Sequence, residues 1–250
     1  MIKNARYIPK RVDDENPYWI SFSDLMTGLL VIFILAAVSL IIELTDKSEK
    51  VDQSILELKK AEQDRNDVIQ EIQEELSKKG IIVLVADNET VVRIPESTLS
   101  FSSGQDELPD DELVISQVRE IGKTIYNALV KGERINSFDT IFIEGHTDSD
   151  NYWKRKGNWG LSSDRAISVW NAWNDRTDGQ PMLAKLQNEM GQKLFSVSGY
   201  AATRRVNTQE LTDADKAQNR RIDIRFTVKK PTIESLQEIK KISTGVTNGI

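Results

Sequence analysis

Two carboxylates and one guanidinium stand in sequence surroundings that suit them for chemistry. Asp24 is the one charged residue in an apolar run, residues 20–42, where a carboxylate can take up and release a proton or a sodium ion. Asp148 follows a predicted strand, and Arg165 falls in the first turn of a predicted helix with Ser162 as its N-cap. An Asp pairs with an ammonium group and an Arg binds a carboxylate, so together they would suit a zwitterionic ligand. From spacing alone, a structural Asp–Arg pair is an equal alternative.

The apolar run that holds Asp24 predicts a transmembrane helix. Its roughly 23 residues cover about 34 Å at ~1.5 Å per residue, enough to cross a hydrocarbon core of ~30 Å. The run is longer than the apolar core of a signal peptide, and no small-residue cleavage site follows it. Helical spacing places Ser21, Thr27 and Gly28 on the face of Asp24, which favours contact with another helix. An Asp that reaches the headgroups or caps the helix start is the alternative.

Composition excludes several classes of protein. The 250 residues carry a net charge of −6, which argues against general nucleic-acid binding. The chain has no Cys and a single His, His146, so disulfide frameworks, thiolate zinc sites and multi-histidine metal sites are excluded. No nucleophile and base stand in an obvious arrangement, so we expect a protein that is not an enzyme and binds no metal.

Charge next to the apolar run predicts the orientation of the chain. Four basic residues lie in the short segment 1–19, against two just after the run, which places the N-terminus in the cytoplasm and the rest outside the inner membrane. The four are Lys3, Arg6, Lys10 and Arg11.

Residues 43–80 predict a helical connector. Eight positions follow a 4-3-4-3 spacing that suits a dimeric coiled coil, and Gly80 is a plausible stop. They are Val51, Ile55, Leu58, Glu62, Arg65, Ile69, Ile72 and Leu76. An amphipathic helix that packs on the chain's own domain is the alternative.

Residues 81–228 alternate between strand and helix patterns, which predicts an α+β domain with helices packed on one sheet. Strands are predicted at 81–86, 90–94, 140–143, 195–197 and 222–228, and helices at 110–131, 162–174 and 183–190. Asp87 and Asn88 indicate a hairpin between the first two strands. Residues 229–250 are expected to form a short helix and a frayed tail.

The segment Trp19-Ile20-Ser21-Phe22-Ser23-Asp24-Leu25-Met26-Thr27-Gly28-Leu29-Leu30 resembles the spanning helix of B-type (MotB-like) subunits of ion-driven rotary motors. The resemblance implies that Asp24 carries the transported proton or sodium ion and that Ser21, Thr27 and Gly28 line its path. It also implies two copies of this chain inside a pentameric ring of polytopic A-type partners, and no cofactor.

Two further stretches resemble the peptidoglycan-binding domain of the OmpA family. The first is Glu144-Gly145-His146-Thr147-Asp148-Ser149 with Gly157-Asn158-Trp159-Gly160-Leu161-Ser162-Ser163-Asp164-Arg165-Ala166, and the second is Gly199-Tyr200 with Asn219-Arg220-Arg221. The resemblance implies an OmpA-like αβ sandwich that binds the diaminopimelate stem peptide. The implied ligand residues are Thr147, Asp148, Asn158, Leu161, Arg165 and Arg221. A longer loop, residues 150–156, departs from the family pattern and brings Trp153 and three basic residues beside the site.

The order of spanning helix, connector and wall-binding domain resembles that of B-type stator subunits. The segment Ser-Asp-Leu-Met-Thr-Gly-Leu-Leu, residues 23–30, is more similar to the corresponding segment of the Zorya anti-phage defence motors than to that of flagellar stators. A flagellar stator subunit, or a passive peptidoglycan tether without an ion path, is the alternative.

Overall fold

The computed structural model describes residues 17–154, 156–175 and 182–230. These residues fall into two compact units, residues 17–53 and residues 54–230. The helices are α1 (Pro17–Lys78), α2 (Glu112–Val130), α3 (Gly157–Trp173) and α4 (Asp213–Asn219). The strands are β1 (Leu84–Ala86), β2 (Val91–Pro95), β3 (Phe138–His146), β4 (Phe195–Gly199) and β5 (Arg221–Val228). Short 3₁₀ turns cover Lys131–Ser137 and Leu183–Lys185.

The first unit holds the apolar part of α1. Within the described residues, α1 is the one helix long and apolar enough to cross a membrane. Nearly every side chain from Tyr18 to Ile42 is exposed, as expected for a surface that faces lipid or a partner instead of its own chain. Residues 1–16, which carry the predicted orientation signal, lie outside the described part.

The second unit contains a five-stranded sheet in the order β1-β2-β5-β3-β4. Only β3 and β4 run parallel; the other neighbours are antiparallel. The hairpin between β1 and β2 turns at Asp87, Asn88 and Glu89, which all adopt positive φ angles, as predicted from the Asp-Asn pair. The α+β class is confirmed, with an apolar N-terminal helix ahead of a mixed αβ domain.

One face of the sheet packs against α2, α3 and the last turns of α1. Alternate residues of β2, β3 and β5 point into this core because successive side chains in a strand face opposite ways. The buried strand residues that face this core include Val92, Ile94, Ile141, Ile143, Ile222, Ile224 and Phe226. The buried face of α1 joins the same core through Val68, Ile69, Ile72 and Leu76.

This packing corrects the expected coiled coil. Ile69, Ile72 and Leu76 have no exposed surface, since they pack on the chain's own domain, so the amphipathic-helix alternative applies to the end of α1. Further contacts fix this end: Glu71 pairs with Lys131 at 2.9 Å and with Arg134 at 2.7 Å. A seam between two copies stays a prediction for the earlier positions Val51, Ile55 and Leu58.

Gly80 ends the helix as predicted. Its φ of +73° is the left-handed conformation that closes many helices, and the amide of Ile81 donates to the carbonyl of Leu76 at 2.9 Å.

Two local predictions were wrong, and one short helix was missed. Helix α3 begins at Gly157, five residues before the predicted start, so Ser162 is an interior residue and Arg165 lies in the third turn. The predicted helix over 183–190 is only a 3₁₀ turn followed by a bridge between Gln187 and Lys193. Helix α4 was not predicted. The predicted tail lies almost wholly outside the described residues.

Candidate functional site

The turn after β3 positions Asp148. The backbone amide of Thr147 donates to the carbonyl of Ala201 at 3.0 Å, which ties the turn to the chain leaving β4. Asp148 Oδ1 then accepts from the amide of Asp150 at 3.1 Å, a side-chain turn that fixes the carboxylate in place. The remaining carboxylate oxygen, Oδ2, accepts a hydrogen bond from Arg220 Nη1 at 2.8 Å.

Helix α3 supplies the guanidinium predicted to share this site. Arg165 is 5% exposed; its Nε donates to the carbonyl of Gln105 at 2.9 Å and its Nη2 to that of Ser102 at 3.3 Å. Its guanidinium carbon lies 4.9 Å from the centre of the Phe101 ring. Burial lowers the pKa of Arg165, and the nearby charge of Asp148 opposes that shift. A guanidinium held in this way is pre-oriented for a carboxylate ligand.

Two glycines allow α3 to approach the sheet closely enough to form the site. A Cβ on Gly145 would lie 1.9 Å from the carbonyl oxygen of Ser162, and one on Gly199 would lie 2.3 Å from Ser163 Oγ. Ser162 Oγ also accepts from the backbone amide of Ala201 at 3.0 Å. The close contact between strand and helix therefore explains why glycine occupies both strand positions.

Between these elements lies a cleft of about 330 Å³. Five of the six predicted ligand residues line it: Thr147, Asp148, Asn158, Leu161 and Arg165. The hydroxyl of Thr147 is buried and has no hydrogen-bond partner among the described residues. The cleft thus combines a carboxylate, a buried guanidinium and an unused hydroxyl.

Arg220 is the main feature of the cleft that sequence reasoning missed. Its Nη1 donates to Asp148 Oδ2 at 2.8 Å, and its Nε and Nη2 bind the carboxylate of Glu96 at 2.6 and 2.8 Å. Asp213 accepts two weaker bonds at 3.3 Å. Hydrogen bonding to Glu96 and Asp148 raises the pKa of Arg220. The motif Asn219-Arg220-Arg221 includes this arginine, but nothing in the sequence indicates that Glu96 is its partner.

Arg221, the sixth predicted ligand residue, does not line this cleft. It is the first residue of β5, and it faces away from the core because Ile222 faces into it. Its guanidinium donates to Asp223 at 3.1 Å and to the carbonyl of Arg204 at 2.8 Å. The adjacent Arg220 lies before the strand and reaches the cleft instead.

A buried charged layer covers the sheet face opposite the core. His146 and Glu144 of β3 pair in register with Arg221 and Asp223 of β5. His146 Nε2 lies 3.5 Å from Asp223 Oδ2 and 3.9 Å from Glu144 Oε2. Burial, reinforced by the charge of Arg221, lowers the pKa of His146 to about 3, so the imidazole is neutral at ordinary pH. His146 therefore belongs to a structural layer beside the turn motif.

Among the described residues, three side chains of this layer lie close enough together to hold a metal ion. They are Glu144, His146 and Asp223. Arginines already neutralise both carboxylates: Arg93 binds Asp223 at 2.8 Å and Arg225 binds Glu144 at 2.9 Å. A divalent cation would have to compete with these guanidinium groups, so the donor set does not suit a metal. The expectation of no metal stays a prediction.

Helix α1 places Ser21, Asp24, Thr27 and Gly28 on one helical face, as the spacing predicts. Thr27 Oγ1 donates to the carbonyl of Ser23 at 2.7 Å, so this hydroxyl is satisfied within the helix. A Cβ on Gly28 would meet no atom within 4 Å, which leaves the face open for another helix. The role of this face in ion transport stays a prediction.

Comparison with known proteins agrees with this architecture. Residues 115–220 match the sequence model of the OmpA family, so the chain carries an OmpA-family domain. A MotB-like protein from Desulfovibrio vulgaris has the same fold: its structure aligns with a TM-score of 0.51 at 18% identity, over 70% of this chain and 98% of that one. An apolar N-terminal helix ahead of such a domain fits a single-pass inner-membrane protein.

Two curated proteins are similar along almost the whole chain. ZorB, a Zorya protein of Escherichia coli O139:H28 (strain E24377A / ETEC), is 26% identical over 235 residues, 90% of this chain and 87% of ZorB. YtxE of Bacillus subtilis (strain 168) is 25% identical over 250 residues, 89% of this chain and 93% of YtxE. The chain is thus similar to MotB-like and ZorB proteins, as the sequence motifs predict.

Proposed function

We propose that this chain is the wall-anchored subunit of an ion-driven motor in the inner membrane. The observation that carries the proposal is the presence, in one chain, of a helix that is long and apolar enough to cross a membrane and contains Asp24, together with an OmpA-family domain with a charged cleft. A carboxylate in a spanning helix is costly, by ~2.5–3.5 kcal/mol on insertion scales, and such residues usually serve function.

The cleft is the proposed anchor. The ammonium group of a diaminopimelate side chain would be bound by Asp148, and the carboxylate beside it by Arg165. Thr147, Asn158 and Leu161 would complete the wall of the site. Binding without catalysis is proposed, with no cofactor; zymography on peptidoglycan gels would detect hydrolysis if the chain were an enzyme.

Asp24 is the proposed ion carrier. One elementary charge that crosses a potential of 100 mV releases ~2.3 kcal/mol, so repeated loading and unloading of this carboxylate by H⁺ or Na⁺ could drive rotation. The proposed partner is a pentameric ring of polytopic A-type subunits around two copies of this chain. Ser21, Thr27 and Gly28 would line the path between helices, with the N-terminus in the cytoplasm and the OmpA-family domain in the periplasm.

Similarity to ZorB over nine tenths of the chain supports a role in anti-phage defence over locomotion. The test uses the native operon in a phage-sensitive host with two single variants, Asp24→Asn and Asp148→Asn. We expect Asp24→Asn to lose protection while binding to purified sacculi is unchanged. We expect Asp148→Asn to lose both.

Protection by Asp24→Asn equal to that of the parent would reject the motor and leave a passive tether. Restoration of swarming in a flagellar stator deletion strain, without protection against phage, would identify the flagellar alternative instead.

A further inference from the structure

Two tryptophans lie exposed beside residues that line the cleft. Trp153 is 86% exposed and Trp159 is 55% exposed. Each is adjacent in sequence to a cleft-lining residue, Trp153 to Tyr152 and Trp159 to Asn158. An indole ring exposed to water forgoes the large favourable free energy of burial. Exposed aromatic side chains next to a binding cleft therefore point to a ligand that covers them.

The segment that carries Trp153 is anchored at both ends. Asp150 receives Lys216 Nζ at 2.7 and 2.8 Å on its two carboxylate oxygens, and its carbonyl accepts from Asn158 Nδ2 at 2.8 Å. At the other end, the amide of Gly157 donates to the carbonyl of Lys154 at 3.1 Å. Trp153 lies in the sequence between these two contacts.

Tyr152 joins the loop to the far wall of the cleft. A Cβ on Gly104 would lie 3.2 Å from Cε2 of the Tyr152 ring, so the ring packs directly on that glycine. Tyr152 therefore forms part of the cleft wall, and Trp153 follows it directly, with its Cα about 3.8 Å further along the chain.

The chemistry of these two exposed indole rings matches a sugar. The less polar face of a pyranose ring carries C–H groups that pack against the electron-rich face of an aromatic ring, while its hydroxyl and amide groups stay in water. Lys154 and Lys156 both follow Trp153 in the sequence, so this surface is amphipathic and suits a polar ligand better than an apolar protein face.

We propose that Trp153 and Trp159 form a second subsite that stacks on N-acetylated sugar rings of the glycan strand whose stem peptide occupies the cleft. The inference rests on the proposed wall-binding function, because the stem peptide is covalently attached to that strand. The chain would then bind the polymer at two points, and intact wall would be preferred over free peptide.

The test compares the full chain and its Trp153→Ala and Trp159→Ala variants in detergent micelles. The probes are purified sacculi and a soluble stem tripeptide that contains diaminopimelate. We expect either variant to bind sacculi about tenfold more weakly while its affinity for the tripeptide is unchanged. Trp153→Phe should retain most of the binding. Met190→Ala, which removes a side chain 70% exposed outside the cleft, is the matched control and should bind as the parent does.

A second measurement tests the sugar directly. Glycan strands freed of peptide by an amidase should compete with sacculi for the parent and fail to compete for Trp153→Ala. Unchanged sacculus binding by both tryptophan variants would overturn the subsite, and so would an equal loss for sacculi and tripeptide. The proposed function fails separately, if Asp148→Asn binds both probes as the parent does.

Discussion

Asp148 is bound by Arg220 and not by Arg165: Arg220 Nη1 lies 2.8 Å from Asp148 Oδ2, while the guanidinium of Arg165 donates to two backbone carbonyls. The predicted pair therefore faces one cleft without forming an ion pair within it. A zwitterionic ligand would supply the missing charges, its ammonium competing with Arg220 for Asp148. Glu96 keeps Arg220 paired when this happens, since it binds the same guanidinium through both oxygens.

Arg220 should contribute to stability because it neutralises three carboxylates. In Arg220→Gln, Glu96 and Asp148 would keep their negative charges in a partly buried site, and we expect the free energy of unfolding to fall by about 1–3 kcal/mol. Urea unfolding of the full chain in detergent micelles, followed by tryptophan fluorescence, measures the change. The control is Lys229→Gln, which removes an exposed pair with Glu189 and should cost about 0.5 kcal/mol or less. Equal effects of the two variants would contradict the role given to Arg220.

The geometry of Arg165 should matter as much as its charge. Arg165→Lys keeps a positive charge but cannot bind the carbonyls of Gln105 and Ser102 while also offering two parallel donors to a carboxylate. We expect affinity for the soluble stem tripeptide to fall about tenfold. Isothermal calorimetry would measure it. Arg119→Lys, on α2 and outside the cleft, is a matched substitution that should leave the affinity unchanged. Parent-like affinity in Arg165→Lys would mean that charge alone suffices.

The sequence predicted most strands because their periodicity is local. It could not decide which surface the end of α1 covers, since the positions of a heptad seam coincide with those of an amphipathic face on a domain. Ile69 and Ile72 satisfy both patterns, and only the three-dimensional packing places them in the core.

The start of α3 and the choice between Arg220 and Arg221 were mispredicted for different physical reasons. Gly157 and Gly160 have low helix propensity, so the first turns of α3 resemble a loop until the contact of Ser162 with the sheet is known. Arg221 could have been rejected from sequence, because the alternation of Ile222 and Ile224 places it on the face away from the core. Glu96 carried no signal, since its partner Arg220 lies 124 residues away.

The glycine in β3 should be sensitive to a single methyl group. In Gly145→Ala the new Cβ would lie 1.9 Å from the carbonyl oxygen of Ser162, a backbone atom that cannot move without shifting α3. We expect a loss of about 3 kcal/mol or more in the free energy of unfolding, or failure to accumulate folded protein. In Gly160→Ala the nearest atom is Lys156 Cβ at 3.1 Å, and the gain in helix propensity offsets the crowding.

Gly160→Ala should therefore stay within about 1 kcal/mol of the parent. Thermal unfolding of both variants in the same detergent gives the comparison. Similar midpoints for Gly145→Ala and the parent would show that α3 does not press on β3.

His146 should make the domain less stable at mildly acidic pH. The imidazole is 2% exposed and its pKa in the folded chain is about 3, against a usual 6.5, because burial and the charges of Arg221, Arg93 and Arg204 oppose protonation more than Asp223 favours it. Glu144 also faces it, at 3.9 Å. The unfolded chain takes up a proton as the pH falls through 6.5 and the folded chain does not, so stability falls between pH 6.5 and about 3.

From pH 7 to pH 5 this linkage amounts to about 2 kcal/mol in the free energy of unfolding. The carboxylate of Asp223, whose pKa is lowered by Arg93 and Arg221, titrates below this interval and does not obscure it. Urea unfolding at the two pH values is the measurement, with His146→Asn as the comparison. Whatever its absolute stability, the variant should lose most of the difference between pH 7 and pH 5. A slope equal to that of the parent would mean that the imidazole is not held neutral by its surroundings.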